Sequence, residues 1–112
     1  MALITVADAK EYLRVDTSDE DAMIGILLSS AKRLCVDIGR LTKDQWKQVD
    51  EGIVPEVGGY TEDELAVVQE TMKVAILYAV GYLFEHREEA DHRGLTLTLR
   101  SLLFGIREGV NE

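Results

Sequence analysis

The sequence predicts an all-α protein, a small helical bundle of two long antiparallel helices and two shorter ones. Three observations carry this. Apolar residues recur at helical spacing in four separate segments. Three of those segments open with a Thr or Ser followed by acids, the pattern that caps a helix start. One proline in 112 residues leaves long helices uninterrupted. The length fits a single domain over residues 1–112, with a loop-rich insert at about 40–60.

The first helix opens at Thr5, whose hydroxyl caps the free backbone N–H groups while Asp8 complements the positive helix end. Leu3, Val6, Ala9 and Leu13 give it a narrow apolar stripe, and residues 14–17 form a connection. Ser18 followed by Asp19, Glu20 and Asp21 marks the second start. Met23, Ile26, Leu27, Leu34 and Ile38 then follow helical spacing over 18–38. Gly39 is placed to end this helix, because glycine accepts the left-handed geometry of a C-terminal cap.

Residues 40–60 hold the proline, Pro55, and the pair Gly58-Gly59. Thr42 with Gln45 three residues on allows one or two helical turns. The following IVPEVGGY reads as loop, and the whole stretch is expected to be mobile. Thr61 to Glu64 is the clearest capping box in the chain. Leu65, Val68, Met72, Ala75, Ile76, Ala79 and Leu83 fall on one face of a helix running to about Glu88. Gly94 sits in the next turn. Leu99, Leu102, Leu103 and Ile106 mark a last helix ended by Gly109. Leu95 to Leu99 alternates as a strand would, but a strand there needs a partner from elsewhere.

The formal net charge of −9 repels free nucleic acid and anionic membranes on average. It argues against tight phosphate binding, while leaving room for DNA to pass an acidic wall. The lone cysteine, Cys35, has no internal disulfide partner, which fits a reducing compartment. Asp8 and Glu11 lie too early for a signal peptide, and the uncharged run Val74 to Phe84 falls well short of the roughly 20 residues of a membrane span. A soluble protein made in cytoplasm is expected.

Glu89-Ala90-Asp91-His92 matches the Glu-x-x-His spacing of di-iron bundles, with His86 and Glu85 nearby. Those sites need two such motifs and further inward glutamates. A single copy beside arginines reads as a solvated helix end, so no metal and no cofactor is expected. Cys35 reads as a small core residue rather than a nucleophile, and no phosphate loop, catalytic triad or zinc spacing is present. No enzymatic role is expected. Trp46, in polar surroundings, is either a lid on the helices or an anchor for a partner.

Val74 to Phe84 is apolar on every side, and residues 22–31 are also uncharged. An amphipathic helix in a small monomer needs one apolar stripe. Either another chain covers the excess, or the 40–60 stretch folds over it. The first reading makes Tyr78, Tyr82 and Phe84 candidate subunit contacts.

Three stretches resemble the small head–tail connector (head-completion or adaptor) proteins of tailed bacteriophages. ITVADAKEYLRVDTSDEDAMIGILLSSAKRLCVDIGR has the family's order: a short helix, a hydrophobic-Arg-Val-Asp turn, an acidic cap and a long helix ending in Gly-Arg. VAILYAVGYLFEHREEA is similar to the family's apolar helix ending in Tyr-x-x-Arg-Glu, with Phe84 at the Tyr position and Arg87 and Glu88 in place. LRSLLFGIR resembles its closing Leu-Leu-x-x-x-Arg. The 40–60 insert is less familiar.

The resemblance implies a helical subunit in a ring of about a dozen copies, docked beneath the portal protein. The ring would extend the DNA channel toward a downstream head-completion or tail protein, without binding the DNA tightly. It also implies that Arg87 and Glu88 take part in subunit contact. The competing expectations are a cytoplasmic helical interaction module acting as a dimer, and an enzyme with a helical-bundle active site.

Overall fold

Three threonines start three helices in the same way. In the computed structural model, which describes residues 2–86, 88 and 92–106, Thr5 opens α1 (Val6–Leu13), Thr42 opens α3 (Lys43–Glu51) and Thr61 opens α4 (Glu62–Glu85). Each threonine hydroxyl accepts from the backbone N–H three residues on, and the side chain there accepts from the threonine N–H in return. Two orphan donors are thereby satisfied at each start. At Asp8 the Thr5 backbone N–H holds the carboxyl below its usual value against the opposing effect of burial, with lesser help from the Thr5 hydroxyl and Lys73. Asp8 therefore supports the folded state at neutral pH, and that support is lost as pH falls through its lowered pKa.

The second helix, α2 (Asp21–Gly39), starts differently. Glu20, not Ser18, is its N-cap, and no side chain closes the first turn. The Asp21 carboxylate instead meets Lys10 Nζ at 2.7 Å, tying α1 to α2. The left-handed step after α2 is taken by Arg40 (φ 58°), not by Gly39. Gly39 is buried as the last helical residue, where a Cβ would come within 3.1 Å of Leu41 and close to Leu103 and Ile106. That glycine serves a close approach.

The 40–60 stretch is loop only in its second half. Its first half is α3, nine residues and so more than two turns, with Val49 fully buried. The loop after it is pinned by Gln48, which is itself buried. Gln48 Nε2 donates to the Tyr60 carbonyl (2.8 Å), and its Oε1 accepts from the Tyr60 N–H (3.0 Å). Gln69 Nε2 in α4 donates to the Val49 carbonyl (3.0 Å), and the Leu3 N–H donates to Asp50 Oδ1 (3.0 Å).

The fifth helix, α5 (Arg93–Leu103), continues as a 3-10 turn over Phe104–Ile106. It covers the stretch whose alternation suggested a strand, and no strand is present among the described residues. Leu95, Leu99 and Leu103, four residues apart, are all fully buried, so one helix face accounts for them. Among the described residues the bundle therefore has five α-helices, one more than expected. α4 ends at Glu85 rather than Glu88, and Gly109 lies outside the described residues.

α4 is the central helix, touching α1, α2, α3 and α5. Its face is the expected one, with Leu65, Val68, Met72, Ala75, Ile76 and Ala79 buried, joined by Val80, while Leu83 is half-buried. On α2 the buried face is Ile24, Leu28, Ala31 and Cys35. The stripe expected from the sequence is its half-buried flank, and Ile26 on it is 66% exposed. By length and composition α4 is long and apolar enough to cross a membrane. Its inward face packs in the core of the bundle.

The Gln48–Tyr60 pair sets a stability test. Gln48→Ala leaves two loop backbone groups without their partners and is expected to cost about 1–3 kcal/mol in urea unfolding. Gly59→Ala should act on the same bonds, because Gly59 has φ +71° and a Cβ there would lie 2.6 Å from Gln48 Oε1. Thr61→Ala should cost about 1 kcal/mol through the lost cap.

Candidate functional site

The last turns of α4 meet the end of α1 at an open groove. Tyr78, Tyr82 and Phe84 line it from α4, and Tyr12, Leu13 and Arg14 line it from α1 and its cap. The groove holds about 580 Å³. Gly81 makes the approach possible, since a Cβ there would come 3.1 Å from the Tyr12 ring. Tyr12 is half exposed, Tyr78 is 37% exposed, and Tyr82 and Phe84 are half-buried against the core. The three residues singled out in the sequence thus share one groove. Tyr12 was missed, because nothing local marks a tyrosine in a short helix as the partner of residues some seventy positions away.

The polar end of α4 is built around Tyr82. The His86 ring stacks on the Tyr82 ring at 4.1 Å and 20°, and the His92 ring meets it edge-on at 5.9 Å and 81°. His86 Nδ1 lies 2.9 Å from the Tyr82 carbonyl, and the His86 backbone N–H donates to the same oxygen at 2.9 Å. A carbonyl only accepts, so Nδ1 carries the proton. His86 closes the helix end with two donors. The Thr96 hydroxyl donates to the His92 carbonyl (3.2 Å), fixing the start of α5. Among the described residues no group of three or more His, Cys, Asp or Glu is placed to hold a metal ion. Arg87, Glu89 and Asp91 lie outside the described residues, and Glu88 is exposed.

Trp46 is half-buried and packs against the core from α3. Cys35 is fully buried in α2, and burial pushes its thiol up to about 12. It carries no thiolate near neutral pH, the form a nucleophile requires.

A second groove was not marked by any motif. It opens between α3 and the loop that follows, lined by Asp44, Lys47 and Glu51 beside Ile53, Pro55 and Val57. Val57 is 90% exposed. Ile53, Pro55 and Val57 alternate along the chain, but the stretch is short, holds a proline and runs into Gly58-Gly59, so it reads as loop rather than as a surface.

The family model described as "Phage gp6-like head-tail connector protein" matches residues 3–112. The chain belongs to that family. No curated protein and no solved structure matches it. The match runs through all five helices, and it includes the 40–60 insert. Membership makes this chain a bacteriophage head–tail connector, a structural component of the virion that assembles with head and tail parts. Proteins of this family are in general structural rather than enzymatic.

Cys35 gives a direct check on the packing of α2. A thiol reagent is expected to leave it unlabelled in the folded connector and to label it on denaturation. Unfolding releases its proton above the ordinary value of 9.0, whereas the folded thiol keeps it to about 12. Stability should therefore be insensitive to this group below pH 9 and should fall between about 9 and 12, measured by urea unfolding against pH.

Proposed function

We propose that this connector forms a closed ring of about a dozen copies beneath the portal and extends the DNA channel toward the tail. The observation that carries the reading is apolar surface left over after the bundle is complete. Four helices pack around α4, yet Val67 and Val74 stay more than half exposed and Tyr78 remains partly so. The Cα framework measures 44 × 29 × 18 Å, thin enough that one side of the central helix stays bare. A neighbouring copy would cover it. The groove of Tyr12, Tyr78, Tyr82 and Phe84 is the proposed subunit contact, to which Arg87 and Glu88 would contribute as the family resemblance implies, and Trp46 is the candidate for docking a partner.

We further take the two long helices, α2 and α4, to run antiparallel. Val6 of α1 lies 3.8 Å from where a Cβ on Gly25 of α2 would stand, and Tyr12 of α1 lies against Gly81 near the end of α4. At the other end Gly39 of α2 approaches Ile106, which shares a groove with Asp63 and Glu64 at the start of α4. The net charge of −9 suits a channel wall, because DNA phosphates would be repelled rather than held during passage. The protein would act without a cofactor and without a membrane, and would be made in the bacterial host cytoplasm from a phage or prophage gene.

Tyr82→Glu should block assembly while leaving the monomer helical by circular dichroism. Replacing both His86 and His92 by Gln should leave assembly and infectivity nearly intact, since their contacts serve one helix end. Infectivity abolished by the histidine change, or rings that persist in the Tyr82→Glu variant, would contradict the reading.

A further inference from the structure

The chain carries its charge unevenly. Residues 41–60 hold four carboxylates and two lysines, whereas residues 93–106 hold two arginines and no acid. These two segments flank the central helix from opposite sides. Gln69 of α4 bonds to Val49 of α3. Val67, two residues earlier, shares a groove with Ile106, and Thr71, two residues later, shares one with Leu102. Two residues along a helix turn the direction by about 200°. So α3 with its loop lies on one flank of α4, and α5 lies on the other.

Each flank presents apolar residues to solvent. On α5, the face opposite Leu95, Leu99 and Leu103 carries Leu97 (53% exposed) and Phe104 (54% exposed), with the exposed Arg100 between them. On the other flank, the groove between α3 and its loop presents Ile53, Pro55 and Val57, with Asp44 and Glu51 on its lining and Glu56 exposed in the loop. Among the described residues, Lys47 is the one base on that lining. The groove is of about 590 Å³, enough to take large side chains. The outer face of α5 is apolar and basic, and the α3–loop groove is apolar and predominantly acidic.

We propose that the outer face of α5 seats in the α3–loop groove of a neighbouring copy, with Leu97 and Phe104 against Ile53 and Val57 and with Arg100 facing Glu51 and Asp44. The inference rests on the ring reading above and assigns its direction. A patch on one flank that fits a different patch on the opposite flank makes a head-to-tail contact, the kind from which a ring is built when the rotation between copies closes. Two copies facing by a twofold axis through either patch alone would set acid against acid or arginine against arginine. Opposite-charge pairing also selects the register, because like charges brought together at an interface are costly. The pinning of the loop by Gln48 and Tyr60 gives this groove a fixed shape before the neighbour arrives.

The test uses the full chain with two substitutions, Leu97→Cys and Val57→Cys; the native Cys35 is buried. Mild oxidation of the assembled protein, alone or on its portal, is expected to give a ladder of disulfide-linked species from dimer up to the full ring, because each copy would bond to two neighbours. Dimers without a ladder would show a twofold contact and overturn the proposal. Assemblies of normal mass that yield no cross-link would overturn the proposed contact while leaving the ring reading intact. Failure of the unsubstituted chain to form multimers, alone and on the portal, would instead overturn the ring reading and this contact with it.

Charge reversal adds a second arm. Arg100→Glu is expected to raise the concentration needed for assembly by about tenfold or more. Mixing it with the Glu51→Arg chain should restore assembly, since each variant then offers the other its complementary flank. A mixture that stays as weak as either variant alone would refute the pairing.

Discussion

α4 packs against α1, α2, α3 and α5, so its side chains have to be apolar in most directions at once. Met72, Ala75, Ile76 and Ala79 are fully buried on the inward side. Burying a Met or Ile side chain stabilises a fold by roughly 1.5–3 kcal/mol. The alanines matter for a different reason. Together with Gly81 they let neighbouring helices come close, and enlarging such positions in a packed core costs about 1–3 kcal/mol. A chain of this size has too few helices to surround a 24-residue helix completely. What it leaves uncovered, at Val67, Val74 and Tyr78, is the same surface that a connector can use for assembly. The apolarity of α4 thus serves folding on one side and is available for association on the other.

The flank built by α3 is held by other means. Trp46 and Val49 are its main apolar contributions to the core, and polar bonds do much of the remaining positioning. Gln48 grips both backbone groups of Tyr60, Gln69 reaches back to Val49, and Asp50 takes the Leu3 N–H. A buried amide that satisfies both its oxygen and its nitrogen adds geometric definition, since a partly satisfied one would be destabilising. The glycines Gly58 and Gly59, both at positive φ, let the loop turn back to meet Gln48. The result is that Ile53 and Val57 stand outward on a loop that is anchored at both ends.

The histidine cluster shows how a group of reactive side chains can be structural. His86 places two donors on one carbonyl and one ring face on Tyr82, while His92 supplies an edge to the same ring. Tyr82 also lines the groove shared with Tyr12. The end of the apolar helix and the edge of the proposed contact are therefore one piece of structure. A change at Tyr82 bears on both, and His86, which also lines the groove, holds the helix end through its two bonds to the Tyr82 carbonyl.

Local chemistry was legible directly. The Thr5, Thr42 and Thr61 starts are each decided within four residues, because the hydroxyl and the side chain three positions on bond to nearby backbone whatever surrounds them. The inward face of α4 was legible too, since its spacing offers one continuous stripe, and the run Val74 to Phe84 singled out Tyr78, Tyr82 and Phe84, which share one groove. Other features needed the tertiary structure. On α2 two adjacent stripes are apolar, and only the neighbours that pack there decide that Ile24, Leu28, Ala31 and Cys35 go inside while Ile26 stays out. Alternation in Leu95 to Leu99 satisfied a strand pattern, but burial with Leu103 on one helix face outweighs it. Gly39 had the chemistry of a left-handed cap, yet Leu41, Leu103 and Ile106 crowd its Cα and the left-handed step moved to Arg40. The partnership of Tyr12 with Gly81 joins residues far apart in the chain. Such contacts depend on which surfaces meet, and that choice is made by the packing of the whole chain rather than by any short stretch of it.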